Sequence, residues 1–362
     1  SLTAPNYPEE AFPDGVRIHF HMNGVFNGCQ KIDKLEITED EALDCVHEMD
    51  TINHYVGMYP IAAGGVIERA FSPFLVALLG VMLLGFLCRK PKIRMIIMSA
   101  GFAAIAVWMY LTWYGEEGLK YQSNGYIHAL VTAMDQDTDK ETGSDSLSSG
   151  QALIERLKEE LGEYYVPPET AQSDTKAPDQ ASSDKIDNIK HLRGTFEKDM
   201  ERKTGAEKLV WDGSGQQMMS WHYQKNLGRY FNNPEEIKPM VTTMGWVAEV
   251  FFWGLIAAMA LLVFGARKNS GLIYWLLILV PLALPLFFII EYSAWLWWYG
   301  HNLNAMGAFS VKPFMPTVFG QGKVAQFTTH SYPAIGFGLM MLMSLLLSLA
   351  ALIRRKQSQE QD

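Results

Sequence analysis

The sequence predicts an all-α integral membrane protein: five transmembrane helices, arranged as two hairpins plus one C-terminal span, with mixed extracytoplasmic regions. Two observations predict it. Five long segments are apolar and almost free of charge, and the short loops joining them carry positive charge only. A hydrocarbon core of ~30 Å takes ~20 residues at ~1.5 Å rise each. Backbone in lipid must close its own hydrogen bonds, so these segments are read as helices.

The spans are Phe71–Leu87, Ile93–Tyr114, Met244–Gly265, Gly271–Trp298 and Pro333–Ile353. The first is short, and the apolar run Ile61–Ile67 extends it despite Glu68 and Arg69. Pro281 and Pro285 predict a kink in the fourth, whose freed carbonyls then need partners. Between spans one and two stand Arg89, Lys90, Lys92 and Arg94; between three and four, Arg267 and Lys268; after five, Arg354, Arg355 and Lys356. Short cytoplasmic loops concentrate Lys and Arg, so the N-terminus is expected outside and the C-terminus in the cytoplasm. The chain starts at Ser1, and an outside N-terminus implies that an upstream signal or anchor was removed.

The cytoplasmic pieces hold nine Lys/Arg against Glu360 and Asp362, a balance of +7 that leaves −16 for the rest of a chain of formal charge −9. Such an outer face excludes nucleic acid, which needs a basic surface, and favours cations or basic partner surfaces. All nine histidines fall in outer segments and none in a span, which argues against haem held between helices. No CxxCH, HExxH, zinc-finger or P-loop pattern is present.

Six regions follow from the spans: an outer N-terminal region (1–70), hairpin one (71–114), an acidic outer loop (115–243), hairpin two (244–298), an aromatic outer loop (299–332), and span five with its tail (333–362). In the first region Val16–Met22 alternates like a strand, and Ile37–Ile52 reads as a helix capped by Thr38 with Glu41 at N3. In the acidic loop, Asp135–Gly150 and Thr170–Asp184 are too poor in aromatic and branched residues to build a core and are expected to be flexible. Charged amphipathic helices are expected near Gln151–Tyr165 and Asp184–Lys203, and a more aromatic one, able to dock, over Gln216–Phe231. Thr112-Trp113-Tyr114-Gly115 and Trp297-Trp298-Tyr299-Gly300 recur at corresponding hairpin exits, read as an aromatic belt or as a trace of duplication.

Three groups carry candidate chemistry. The first is a metal site. His47 and His54 are seven apart on one helical face, Met58 lies four beyond His54, and His19 and His21 share one face of the strand beside Met22. Imidazole and thioether together suit copper, so copper is the expected metal. The other reading makes these histidines hydrogen-bonding residues and pairs Cys29 with Cys45 in a disulfide, as the outer compartment permits. The second group is Glu249 and Glu291, at similar depth in the outer half of spans three and four, where an ionisable residue calls for a functional explanation or a hydrogen-bonding one. The third is the loop 307–333, rich in aromatics, glycine and proline, where Phe309, Phe314, Phe319, Phe327 and His330 form either packing onto the protein itself or a docking surface.

At this loop and at Met49–Met58 the chain resembles integral membrane proteins encoded beside nitrous oxide reductase of the second clade, the NosB type. The resemblance spans most of the chain outside 135–185 and implies a bacterial cytoplasmic membrane protein working with a periplasmic copper enzyme. It carries over no catalytic residue. The expected function is therefore a partner subunit, more accessory than catalytic, that docks, anchors or helps mature nitrous oxide reductase. The alternatives are a copper transporter or chaperone using Met22, Met49, Met58, His47 and His54, a quinone-reactive electron-transfer subunit around Glu249 and Glu291, and a plain scaffold subunit.

Overall fold

A computed structural model describes residues 2–3, 16–21, 24–27, 56–59, 65–141, 178–203, 205, 208–228, 231, 233–267, 271–307, 312–324 and 327–359. The helix expected over Ile37–Ile52, the one near Gln151–Tyr165, the cysteines Cys29 and Cys45, and His47, His54 and Phe309 lie outside the described residues. The chain divides into two compact units, Ser1–Gly118 with Ser214–Asp362, and Leu119–Gly213.

The larger unit is mostly helical. Strand β1 is Leu2–Thr3, β2 Ile18–His21 and β3 Gly24–Asn27; α1 (Gly65–Glu68) leads through a 3-10 turn, Arg69–Phe71, into α2 (Ser72–Leu87). Then comes α3 (Pro91–Trp113), which packs on α2 as the first hairpin. Pro91 opens it where a missing N–H costs nothing. Four helices are long and apolar enough to cross a membrane, and a bent pair makes a fifth crossing if counted as one. Their outward faces carry residues such as Val76, Ile96 and Val250, each about 70% exposed. So much contiguous apolar surface would not stay in water, and lipid is the solvent that suits it.

The smaller unit, Leu119–Gly213, is a helical hairpin. Its helices, α4 (Asn124–Glu141) and α5 (Pro178–Glu201), bury Tyr126, Ile127 and Leu130 with Leu192, Phe196 and Met200. Trp211 packs edge-on against Phe196 with centroids 5.4 Å apart, and Lys185 Nζ donates to the carbonyls of Lys120 and Gln122 at 2.6 and 2.7 Å. The second helix meets the expectation for Asp184–Lys203. Residues 135–141 and 178–184, from the stretches expected to be flexible, belong to these helices. Low apolar content does not forbid a helix propagated from a buried neighbouring turn.

In the larger unit α6 (Gly215–Leu227) follows, capped by Ser214, whose hydroxyl accepts from the Gln217 N–H at 3.1 Å. It docks as its aromatic content predicts, burying Met218, Trp221, His222, Tyr223 and Leu227. Helix α7 (Pro234–Gly265) begins ten residues before the expected span, with Asn233 accepting from the Glu235 N–H. Span four is broken: α8 (Leu272–Leu282) and α9 (Leu284–His301) meet at 63° around Ala283, between Pro281 and Pro285. The freed Leu282 carbonyl receives the Ser344 hydroxyl of the last helix at 2.7 Å, the kind of local partner such a kink requires.

Strands β4 (Gly320–Val324) and β5 (Phe327–Ser331) form a three-stranded antiparallel sheet with β1 in the order β1-β5-β4, with Leu2 opposite Thr329 and Gly320 opposite Ser331. The final helix, α10 (Ile335–Gln359), packs on α8 and α9 with none of its apolar window buried.

The basic end of the bundle is closed by one residue. Arg94 is fully buried; its Nε and Nη2 donate to the Ala266 carbonyl at 2.8 and 2.5 Å, and Nη1 reaches the Cys88 carbonyl at 3.5 Å. Ala266 and Cys88 are the C-caps of α7 and α2, so a single cation serves the negative ends of two spans. The guanidinium lies 4.7 Å from the centroid of the Tyr274 ring, whose hydroxyl donates to Phe86 O and accepts from Arg354 Nε.

Candidate functional site

The opposite end carries two polar assemblies. The first ties Gly57 and Tyr59 to Asn304, just before the aromatic loop. Asn304, just beyond α9, donates its backbone N–H to Gly57 O at 2.7 Å. Its amide Nδ2 donates to Glu236 Oε2 at 2.7 Å and to the Tyr59 hydroxyl at 3.1 Å, and Tyr59 itself donates to Glu236 Oε2 at 2.8 Å. Asn304 Oδ1 accepts from the Met306 N–H at 2.8 Å. Burial pushes the Tyr59 phenol up to about 12, with Asn304 opposing and Glu236 adding to the shift. Gly57 has φ +77°, and a Cβ there would stand 2.6 Å from Asn304 O, so only glycine allows this approach.

Behind it the aromatic loop is ordered by backbone and hydroxyl bonds. Phe314 N donates to Gly300 O at 3.0 Å, Ser331 Oγ pairs with Tyr292 OH at 2.7 Å and donates to Val318 O at 2.8 Å, and Thr317 and Thr329 share a bond of 2.8 Å. Of the expected docking residues, Phe319 is exposed, Phe314 and His330 are half-buried, and Phe327 lies in β5. Met306, Met315 and Tyr332 are exposed beside them. The loop thus packs partly on its own protein while leaving large side chains outward.

The second assembly is a cavity of about 20 Å³ lined by Phe20, His21, Glu68, Phe288, Glu291, Tyr292 and Trp295. Three separate elements meet there: β2, the end of α1 and the middle of α9. Phe20 turns inward onto Tyr292, with centroids 4.5 Å apart. The Tyr223 hydroxyl of α6 donates a short hydrogen bond to Glu68 Oε1. Burial raises the Glu68 pKa, and that bond opposes the rise. His21 is shifted down by burial, by neighbouring His19 and by Arg69. The indole Nε1 of Trp295 is buried with no hydrogen-bond partner.

The two membrane acids, expected at similar depth, stand in different surroundings. Glu291 lines this cavity. Glu249 accepts from Trp113 Nε1 at 3.0 Å, from Gln216 Nε2 at 2.9 Å and, in a short bond, from Tyr114 OH. Three donors on one carboxylate give Glu249 the hydrogen-bonding role. Trp113, from one of the repeated exit motifs, is thereby a buried partner rather than a belt residue.

Among the expected metal ligands, His19 and His21 share the exposed face of β2, as alternation predicts, with ring centroids 6.2 Å apart. Met58 is buried. Among the described residues no three or more His, Cys, Asp or Glu side chains are grouped to hold a metal, and Cys88 is a free thiol. Glu68, Tyr223, Asn304 and Arg94 were not singled out from the sequence as site residues. Only Glu68 left a signal, a charge interrupting an apolar run. No protein-family model, curated protein or solved structure matches this chain.

Proposed function

We propose that the protein is a multi-pass subunit of a bacterial cytoplasmic membrane, with its N-terminus on the periplasmic side, that docks, anchors or helps mature a periplasmic copper enzyme of the nitrous oxide reductase kind. The observation that carries this reading is the close approach of Gly307 to Gly57, where a Cβ on Gly307 would stand 2.8 Å from Gly57 Cα, held by the adjacent bond from Asn304 N–H to Gly57 O. This platform leaves Met306, Met315, Phe319 and Tyr332 outward. Exposed Met and aromatic side chains on an ordered frame suit a protein interface, where such residues are enriched.

The side assignment rests on charge. Cys88–Arg94 and Ala266–Ser270 carry only positive charge, while the platform lies at the other ends of the same helices. Affinity isolation of the full chain in mild detergent, with mass spectrometry and metal analysis, tests the proposal. Co-isolation of the copper enzyme in near-stoichiometric amount is the expected result. Quantitative isolation of the chain without it, from cells expressing both, overturns the reading.

A further inference from the structure

The cavity between β2, α1 and α9 has a composition that a docking role does not use. Its polar lining is two carboxylates, Glu68 and Glu291, one imidazole, His21, and the hydroxyl of Tyr292, which is engaged with Ser331. The remaining walls are Phe20, Phe288 and Trp295. Two negative charges lining one small space, Glu68 half-buried and Glu291 at its open side, repel each other. Something must neutralise one of them.

Three occupants are possible in principle. A divalent cation needs about six oxygen ligands, whereas the cavity supplies two carboxylates and an already bonded hydroxyl. A protein cation is not among the lining residues; Arg69 is exposed and lies outside the lining. A proton needs no coordination shell. A volume of about 20 Å³ also admits a water. Such a water would give the buried Trp295 Nε1–H the acceptor it lacks and link it to the carboxylates.

We propose that this cavity is a proton-holding site, in which Glu68 and Glu291 share one proton with a water between them and Trp295 near neutral pH. Uptake forms one O–H bond on a carboxylate oxygen, the proton coming from hydronium at the platform side. Release returns the proton to water and leaves the electron pair on that oxygen. Tyr223 occupies Oε1 of Glu68, so the second oxygen of Glu68 is the one available to share. The other groups facing the pair are Tyr223 and Tyr299, and Arg69 and His19 by way of His21; the positive charge of Arg69 opposes protonation. This inference goes beyond docking and stands whether or not a copper enzyme binds.

Dicyclohexylcarbodiimide tests it on the purified full chain, because it adds to a carboxyl group that is protonated in apolar surroundings. Labelling mapped by mass spectrometry should fall on Glu68 or Glu291 and should drop several-fold as the pH is raised. Glu68→Gln should move the midpoint of labelling at Glu291 downward by about one pH unit or more, since the neighbouring charge is gone. An infrared pH difference spectrum of the wild type, with a carboxylic C=O band that shifts in D2O, gives the same readout if that variant fails to fold. Absence of both the label and the band overturns the proposal. Suppression of labelling by sodium or potassium at fixed pH also overturns it, in favour of a bound cation.

Discussion

The Asn304 N–H donates to the Gly57 carbonyl across 2.7 Å, joining the chain after the broken fourth span to the segment that precedes the first. The separation in sequence is large, so the bond fixes the platform as a unit. Gly57→Ala should therefore do more than local damage. A side chain at φ +77° and against Asn304 O costs roughly 1–3 kcal/mol. The expected outcome is a lower thermal midpoint in detergent together with weaker association with the copper enzyme. Wild-type association in this variant would show that the platform does not form the interface.

Arg94→Ala should be among the most damaging single changes at the basic end. It removes donors from two helix C-termini and leaves Ala266 O and Cys88 O uncapped in the bundle. Hydrogen bonds to charged groups contribute about 1.5–3 kcal/mol each, so a loss of several kcal/mol in chemical or thermal unfolding is expected. Arg94→Lys should recover only part, because one ammonium lacks the planar fork that spans both carbonyls.

Glu249→Gln tests the structural role of that acid. Its oxygens accept from Trp113, Tyr114 and Gln216, and an amide would set its own N–H against one of those donors. A loss of roughly 1–3 kcal/mol is expected in the same unfolding assay. Carbodiimide labelling of the Glu68–Glu291 cavity should be unchanged in the surviving folded fraction.

Glu68 gives a pH dependence with a definite sign. Burial raises its folded pKa above the usual 4.5, so the folded chain holds this proton more tightly than the unfolded one. The associated stability is complete below that value and is lost as pH rises through the folded value. Glu68→Gln cannot ionise and still accepts from Tyr223. Its melting midpoint should match the wild type at about pH 4 and equal or exceed it at about pH 8. A deficit of the same size at both values would place the cost in packing rather than in charge.

Spans, broken helix and docked helix were legible because each follows from local rules. Hydropathy marked the crossings, and the helices over Arg69–Leu87, Pro91–Trp113 and Pro234–Gly265 contain the expected segments to within a residue at their C-terminal ends. Pro281 and Pro285 marked the break. What pairs across the sequence was not legible. Nothing local says that Tyr223 meets Glu68 or that Arg94 meets Ala266, separated by 155 and 172 positions. The strands at Gly320–Val324 and Phe327–Ser331 were also missed, since glycine and lysine interrupt their alternation and a hydroxyl, Thr329 donating to Gly322 O, supplies a cross-strand contact. Glu249 and Glu291 look alike in sequence, and only their neighbours distinguish a satisfied carboxylate from one lining a cavity.

The central claim is that the platform end receives a periplasmic copper enzyme. Hydroxyl-radical footprinting of the full chain, with and without purified nitrous oxide reductase, tests it most directly, because the exposed Met306, Met315, Phe319 and Tyr332 are all reactive side chains. Their oxidation should fall several-fold in the presence of the enzyme, measured against the exposed ring of Tyr121 as an internal reference. Equal oxidation of the four platform residues with and without saturating enzyme would contradict the account.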